Sequence, residues 1–312
     1  MNFVNIDNWS VFRYELPLHK PIAARGANRL IRKGLLIFMR NTWGIGIGEA
    51  APIEGFHPIS YDQTQEDILS ALVNAKPPRY RISQCAIEMA QHPLSKNKRV
   101  PVNGLLTDST SIDPQFSCYK IKVGRQSVHD DANMVSTIIR SLPPQTKIRL
   151  DANCAWSMSQ CMTFWNLIKE YIGNIEYIEE PLSNPEEYPK LSIPFALDER
   201  LSLFDTQLHT LSYLRAIILK PSLLGFHSCT DWIARATQLN ISAVVSSTFE
   251  SSVGLFAYAD IAQPNTHCGL GTNSWFKEDI LKRRALPKNG ILLTPQSNQF
   301  LHHPSLTCIG SG

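Results

Sequence analysis

The sequence predicts an α/β architecture, a (β/α)8-type barrel behind an N-terminal α+β capping domain, and three observations predict it. From Tyr119 to Lys220, short apolar runs that each stop at an ionisable residue recur about every 20 to 30 residues, the length of a strand-plus-helix unit. Helically periodic stretches separate these runs. A pattern of strands and turns with two further helices precedes them. The 312 residues make one large or two ordinary domains, and 43% hydrophobic content is ample for a packed core. The expected divisions are a capping domain over 1–98, a barrel over 99–278 and a C-terminal segment over 279–312 that returns to the cap.

In chain order, Trp9 to Leu16 alternates like a half-buried strand. Gly34–Arg40 and Trp43–Ala50 form a hairpin around Asn41-Thr42, and a basic, small-residue loop over Ala23–Arg29 lies before it. Gly44, Gly46 and Gly48 do not make G-x-G-x-x-G and no helix opens after them, so a Gly-softened edge strand is the better reading than a dinucleotide loop. A second loop spans Pro52–Pro58, and helical periodicity runs over Tyr61–Asn74 and Ser83–Ala90. Pro101–Leu106 is the first barrel strand. The next five begin near Tyr119, Lys147, Ile175, Phe195 and Ala216, followed by Ile241–Ser247 and a short strand at Cys268–Gly271, eight in all. Helices are expected over Asp130–Leu142, Ser157–Tyr171, Thr206–Tyr213, Ser228–Leu239 and Gly254–Ala262. Between Leu106 and Cys118 the chain is short for a full helix, so the first βα unit is expected to be modified. A strand at Gly290–Pro295 is expected to pack on the N-terminal module.

A net charge of +3 with no basic run or interleaved aromatics gives no nucleic-acid surface. The segment Met1–Asp7 has neither a basic nor an apolar leader region, and no window of about 18 apolar residues would span a membrane. Seven scattered cysteines without a C-x-x-C pair read as reduced thiols, and the chain is expected to be cytoplasmic. Cys154 lies beside the carboxylates described next but has no histidine partner placed by sequence. The histidines, including His57 and His302-His303, show no ligand spacing.

Asp151, Glu179 and Asp198 end three successive strands. Converging carboxylates repel unless a cation lies among them, and three hard oxygen donors suit Mg²⁺, with no His or Cys to favour zinc. Alternation puts Tyr177 and Glu179 on one strand face, Glu176 and Glu180 on the other, and separates Asp198 from Glu199. Lys120 and Lys122 share one face. Inside a barrel such a pair is costly unless it works, and one ammonium crowding the other favours a neutral amine able to take a proton from carbon. Arg149 shares the face of Asp151 and is expected near the lysines, while Lys220 ends a strand across the barrel. Isolated surface acids and snorkelling lysines are the plainer reading of any one position. The recurrence over consecutive units argues against it.

Lys120-Ile121-Lys122, Asp151-Ala152-Asn153, Glu179-Glu180-Pro181, Asp198-Glu199 and Leu219-Lys220-Pro221 resemble the enolase superfamily, in its muconate-lactonising-like branch. Ile148–Asn153 with Ala155-Trp156, and Val245–Gly254, are most similar to the o-succinylbenzoate synthase family of menaquinone biosynthesis. Gly48-Glu49, Pro52 and Gly55-Phe56 add a weaker match. The resemblance implies Mg²⁺, with Mn²⁺ as a substitute, on Asp151, Glu179 and Asp198. It implies Lys122 as general base, Lys120 as its pKa-lowering neighbour and Lys220 as the cation across the substrate ring. The implied substrate is a small carboxylate, a cyclohexadiene with a succinyl chain and a hydroxyl. Loss of its α proton and then of water gives the aromatic product, with the metal as Lewis acid. Arg149, Asn153, Ser246, Ser247, Arg25 and Phe56 are secondary candidates for substrate contact, the Arg25 and Phe56 loops closing over the mouth.

Racemisation of an N-acylamino acid would use the same lysines and metal. Dipeptide epimerisation is disfavoured because Gly269–Ser274 has no D-x-D. A Schiff-base aldolase has no need of three carboxylates, and a non-catalytic binding barrel would leave every filled catalytic position unexplained. Oligomeric state is left open.

Overall fold

Alternating side chains along the N-terminal strands create a sheet that is apolar on both faces, and this decides how the two halves of the chain meet. The computed structural model describes residues 8–24, 27–106, 112–296 and 303–312. Strand β1 (Trp9–Ala24) pairs antiparallel with β2 (Ala27–Asn41), and β2 with β3 (Gly44–Ala50), as the hairpin pattern predicts. The β1–β2 pairing continues to Ala24↔Ala27, so the expected Ala23–Arg29 loop is mostly strand. Val11, Leu35, Ile37 and Ala50 pack beneath α1 (Tyr61–Asn74) and α2 (Arg81–Gln91). Phe12, Tyr14, Leu16, Leu36 and Phe38, of the opposite parity, join a core shared with the second half of the chain.

Helix α1 opens with a reciprocal capping box between Ser60 and Gln63, a feature worth about 1 kcal/mol. Gly46 and Gly48 serve packing. A Cβ there would lie 1.8 Å from the Ala90 carbonyl oxygen and 1.7 Å from that of Ala86, so α2 rests directly on the backbone of β3. β3 is an edge strand, as expected.

After β4 (Arg99–Pro101), strands β5 (Gly104–Leu106) and β6 (Cys118–Lys122) begin a parallel sheet. It continues past α3 (Val128–Arg140) through β7 (Lys147–Asp151), α4 (Met158–Leu167), β8 (Ile175–Glu179), β9 (Phe195–Leu197) and β10 (Leu214–Leu219). The short α5 (Pro221–Leu224), α6 (Phe226–Gln238), β11 (Ser242–Val245) and α7 (Ser252–Ile261) follow. The seven strands run in sequence order, curled so that Cys268-Gly269 bridges both edges, to Val102 and to Ser246, in parallel sense. The eighth strand is thus reduced to two bridges, and the barrel closes through it. Outward strand residues such as Ile148, Phe195 and Leu197 form the core with helix residues such as Phe164. Tyr177, Ala196, Ala216, Ile218 and Val244 form a separate cluster facing inward.

Several expectations change. The Thr206–Tyr213 helix is only a 3₁₀ turn over Leu208–Thr210; between β8 and β9, where no helix was expected, the crossover is a 3₁₀ segment, Pro185–Lys190. Pro185, Pro189 and Pro194 deny amide donors to a longer α-helix there. The first barrel strand splits: Arg99–Pro101 pairs antiparallel with β12 (Ile291–Leu293), while Gly104–Leu106 joins the barrel sheet and Val102 bridges Cys268. The 290s strand therefore does not reach the cap sheet. That return is made by β13 (Thr307–Ser311), paired antiparallel with β1. Residues 112–117 contain no helix, in keeping with a modified first unit.

Two buried cap residues join cap to barrel. Glu49 accepts from Tyr14 Oη, from Ser251 N (2.8 Å) and Oγ (2.7 Å), and from Gly254 N (2.7 Å), at the start of α7. Arg32 donates to the carbonyls of Ala51, Pro52 (2.7 Å), Thr248 (3.2 Å) and Phe249 (2.8 Å). Burial pushes the Glu49 carboxyl up to about 7 against the lowering effect of Tyr14 and Ser251.

Gly48→Ala should cost about 2–3 kcal/mol in urea unfolding, because backbone cannot yield as a side chain can. Gly173→Ala, with open space around the added carbon, should be near neutral. A second expectation concerns pH. Since the folded Glu49 pKa lies above its unfolded value of 4.5, its contribution is fully present below pH 4.5 and is lost as pH rises through about 7. The stability difference between the protein and Glu49→Gln should therefore vary by up to about 3 kcal/mol across that window, and a pH-independent difference would contradict it.

Candidate active site

The C-terminal ends of β6 to β10 bring six ionisable side chains to one rim. Register pairs Lys122 with Asp151 and Asp151 with Glu179, and the parity that turns Ile121 and Leu150 into the helix layer turns these residues inward. Lys120 Nζ lies 2.9 Å from Asp151 Oδ2 and 2.7 Å from Glu179 Oε1. Lys122 Nζ is 3.6 Å from the same Asp151 oxygen and 3.4 Å from Asn153 Oδ1. Across the mouth Lys220 Nζ donates to Asp198 Oδ2. Asp151, Glu179 and Asp198 are all buried.

Electrostatics follow from that burial. Burial opposes ionisation of Asp151, yet Lys120 and Lys122 hold its carboxyl below the ordinary carboxylate range. Burial pushes Glu179 up to about 7 despite Lys120, and raises Asp198 despite Lys220. Burial would discharge Lys120, but Glu179, Asp151 and Asp198 reverse this and raise its pKa. Asp198 does the same for Lys220. Asp151 Oδ1 is buried without a hydrogen-bond partner. A buried carboxylate oxygen left unmatched beside two more carboxylates is a donor set that fits a hard divalent cation.

The secondary candidates divide. Phe56, on the cap loop, lies with its ring centroid 5.4 Å from Lys220 Nζ, so that loop reaches the mouth. Asn153 contacts Lys122 from a left-handed conformation (φ 47°) that asparagine tolerates. Ser246 follows inward Val244 by two, and Ser247 bonds instead to the Gly269 carbonyl (3.1 Å) and Thr272 Oγ1 (2.8 Å). Arg149 lies opposite Lys120 in the β6–β7 register, near the lysines as expected, but its guanidinium is engaged elsewhere. It ion-pairs with Glu176 (2.7 Å), donates to the His267 carbonyl (2.5 Å) and stacks 5.2 Å over Tyr177. A register shift between Ile148 and Arg149 brings Glu176 to it, a displacement simple alternation could not foresee. Arg25 and His302 lie outside the described residues. His303 bonds Ser305 Oγ (2.7 Å) and approaches Glu278, and the Cys154 thiol is pushed up to about 12 by burial and Glu180, which disfavours the thiolate.

Sequence reasoning missed two roles. Glu180, fully buried with φ 42°, accepts from the backbone amides of Asp198 (2.7 Å) and Arg200 (3.0 Å) and from Tyr188 Oη (2.8 Å), thereby fixing the end of β9 that carries Asp198. Its place beside Glu179 was the available signal. Leu105, in register with Lys120 on β5 and 45% exposed, offers an apolar surface beside the charges.

Comparison with known proteins agrees with this geometry. An enolase C-terminal domain-like family model matches residues 108–298 and a MenC N-terminal domain model matches residues 6–86. An o-succinylbenzoate synthase of Aliivibrio fischeri (strain MJ11) is 30% identical over 304 residues, covering 86% of this chain and 91% of that protein. The N-succinyl Arg/Lys racemase of Bacillus cereus ATCC 14579 has a similar fold, with TM-score 0.77, 18% identity and coverage of 98% and 100%. The o-succinylbenzoate synthase of Thermosynechococcus elongatus BP-1, solved with Mg in its active site, superposes with TM-score 0.69 at 21% identity over 93% and 97% of the two chains. With a family model spanning more than half of its length and a 30% identical relative matched almost end to end, the chain belongs to the enolase superfamily and, within it, to the o-succinylbenzoate synthase family.

Proposed function

We propose that this protein is an o-succinylbenzoate synthase, a hydro-lyase that removes water from 2-succinyl-6-hydroxy-2,4-cyclohexadiene-1-carboxylate to give 2-succinylbenzoate. The observation that carries the reading is the pairing of Lys120 and Lys122 with Asp151 on one side of the barrel mouth and Lys220 with Asp198 on the other. Asp151, Glu179 and Asp198 would hold Mg²⁺, or Mn²⁺ in its place, and the unmatched Asp151 Oδ1 supports that assignment. When bound, the ion supplies positive charge against the negative charge that grows on the substrate carboxylate as its α proton leaves.

The residues perform the rest. Lys122 touches Asp151 only at 3.6 Å and Asn153 at 3.4 Å, which leaves its amine freer than Lys120 to accept the proton from the ring carbon bearing the carboxylate. The electron pair released forms the ring double bond as the neighbouring hydroxyl departs. The same ammonium returns the proton to that hydroxyl, so base and acid lie on one face and water is eliminated syn. Lys120, bound to two carboxylates, keeps its charge and holds Asp151 and Glu179 in place. Lys220, under the Phe56 ring, puts a second cation on the opposite face, where it would face the negative charge that develops as the proton leaves. Leu105 and Phe56 offer apolar surface to the ring, and the Phe56 loop helps exclude water.

The opposed lysines also suit racemisation of an N-acylamino acid, so both substrates belong in the test. Lys122→Ala should lower kcat for aromatisation, followed by absorbance, about 10²–10⁴-fold with the fold intact. Full activity in that variant would remove Lys122 from the role of base. EDTA should abolish turnover and Mg²⁺ restore it. Asp151→Asn should raise the Mg²⁺ concentration needed for half-maximal rate by about tenfold or more. If the cyclohexadiene is inert while N-succinylamino acids exchange their α proton in D₂O, the site stands and the reaction is racemisation.

A further inference from the structure

The turn over residues 53–57 carries Phe56 to the barrel mouth, and its internal hydrogen bonds converge on Ile53 and His57. The Ile53 carbonyl accepts from the amides of Phe56 (3.0 Å) and His57 (2.8 Å). Gly55, at φ 85°, permits the sharp reversal between them. The His57 ring then folds back, and its Nδ1 accepts from the Ile53 amide at 2.9 Å. That bond is buried, since His57 is 4% exposed. Burial and the nearby Arg32 push the ring's pKa down to about 4, so Nδ1 stays an acceptor. Just ahead of the turn, Arg32 gathers the carbonyls of Ala51 and Pro52 with those of Thr248 and Phe249. The base of the turn is therefore tied to the barrel.

Phe56 itself is 40% exposed. Its ring meets the His57 ring edge to face, with centroids 5.4 Å apart and planes at 72°, and its centroid lies 5.4 Å from Lys220 Nζ. Glu54, in the same turn, binds Arg29 at 3.2 Å, but those side chains are 31% and 56% exposed, and such a pair is weak and screened by salt. The buried His57 bond is the stronger restraint. An aliphatic side chain would fill the same space without the His57 Nε2 position, which is buried without a partner at a cost in stability. Packing alone therefore does not account for an imidazole here. Its Nδ1 acceptor and its contact with the Phe56 ring do.

We infer that His57 is a positioning residue for the barrel mouth: by closing the turn through Nδ1 and bracing the neighbouring ring, it holds Phe56 over Lys220. A ring already in place loses little freedom when a substrate ring arrives against it, which favours binding more than chemistry. The inference deepens the reading of this mouth as the reaction site and rests on it only for its kinetic consequence.

The test uses the full chain in Mg²⁺, labelled with para-fluorophenylalanine and read by ¹⁹F spectroscopy, the Phe56 line being the one lost in Phe56→Leu. His57→Leu removes the acceptor, and His57→Gln carries it away from the Ile53 amide; both are expected to shift or broaden the Phe56 line. His57→Asn, whose Oδ1 takes the place of Nδ1, is expected to restore it. If the Leu variant does not fold, the comparison of Gln with Asn decides. An unchanged line in His57→Gln, or equal displacement by Gln and Asn, would overturn the inference. With the cyclohexadiene substrate, His57→Gln should raise KM about tenfold while kcat changes less than about threefold. In a Phe56→Leu background the same substitution should have no further effect, and an equal loss with or without the ring would contradict a role through Phe56. The ¹⁹F readout needs no substrate, so this inference and the proposed reaction can fail independently.

Discussion

Three carboxylates buried at one end of a barrel cannot all remain charged without cations among them, and much of this structure answers that constraint. Burial, and after it the repulsion between Asp151, Glu179 and Asp198, would drive protonation, and burial has already displaced Glu179 to about 7. Lys120 bridges two of them and Lys220 neutralises the third. The same ammonium groups are themselves buried and would lose their protons without the carboxylates. Each sign stabilises the other, and the remaining Asp151 oxygen leaves the place for an additional cation. Lys122 is the lysine least tied to this arrangement, which is what suits it to exchange a proton.

Holding such charges at fixed positions needs a rigid frame. Glu180 supplies part of it by joining the ends of β8 and β9 through the Asp198 and Arg200 amides. The cap supplies another part: Arg32 binds the carbonyls of Thr248 and Phe249, and Glu49 binds the first amides of α7. Because these contacts are buried and charged, losing one partner leaves the other unmatched, so cap and barrel are held in one arrangement. The Phe56 loop, anchored by the Ile53–His57 hydrogen bond, is thereby fixed over Lys220.

Much of this was legible in the amino-acid sequence. Lys120, Lys122, Asp151, Glu179 and Asp198 declared themselves because strand alternation has a strict period of two and because each ended an apolar run. The β2–β3 hairpin and helices α1, α2, α3, α6 and α7 were legible for similar reasons. Arg149 lies opposite Lys120 as expected, but its pairing with Glu176 was not foreseen because it depends on a register shift. The Thr206–Tyr213 helix was misjudged: only a 3₁₀ turn over Leu208–Thr210 forms there. The pairing of β13 rather than the 290s strand with the cap depends on which edge is free, and that is a property of the assembled sheet.

The sequence by itself determined the repeating strand-and-helix plan, the identity of the charged residues at the rim and the face each of them takes, since these depend only on local periodicity and residue chemistry. Only the tertiary structure decided which lysine pairs with which carboxylate, that Glu180 and Glu49 are buried fasteners, that Gly46 and Gly48 admit α2, and that His57 is buried with a free donor. Those features arise where elements distant in sequence meet. Their energies come from burial and from contacts across that distance, which no window along the chain contains.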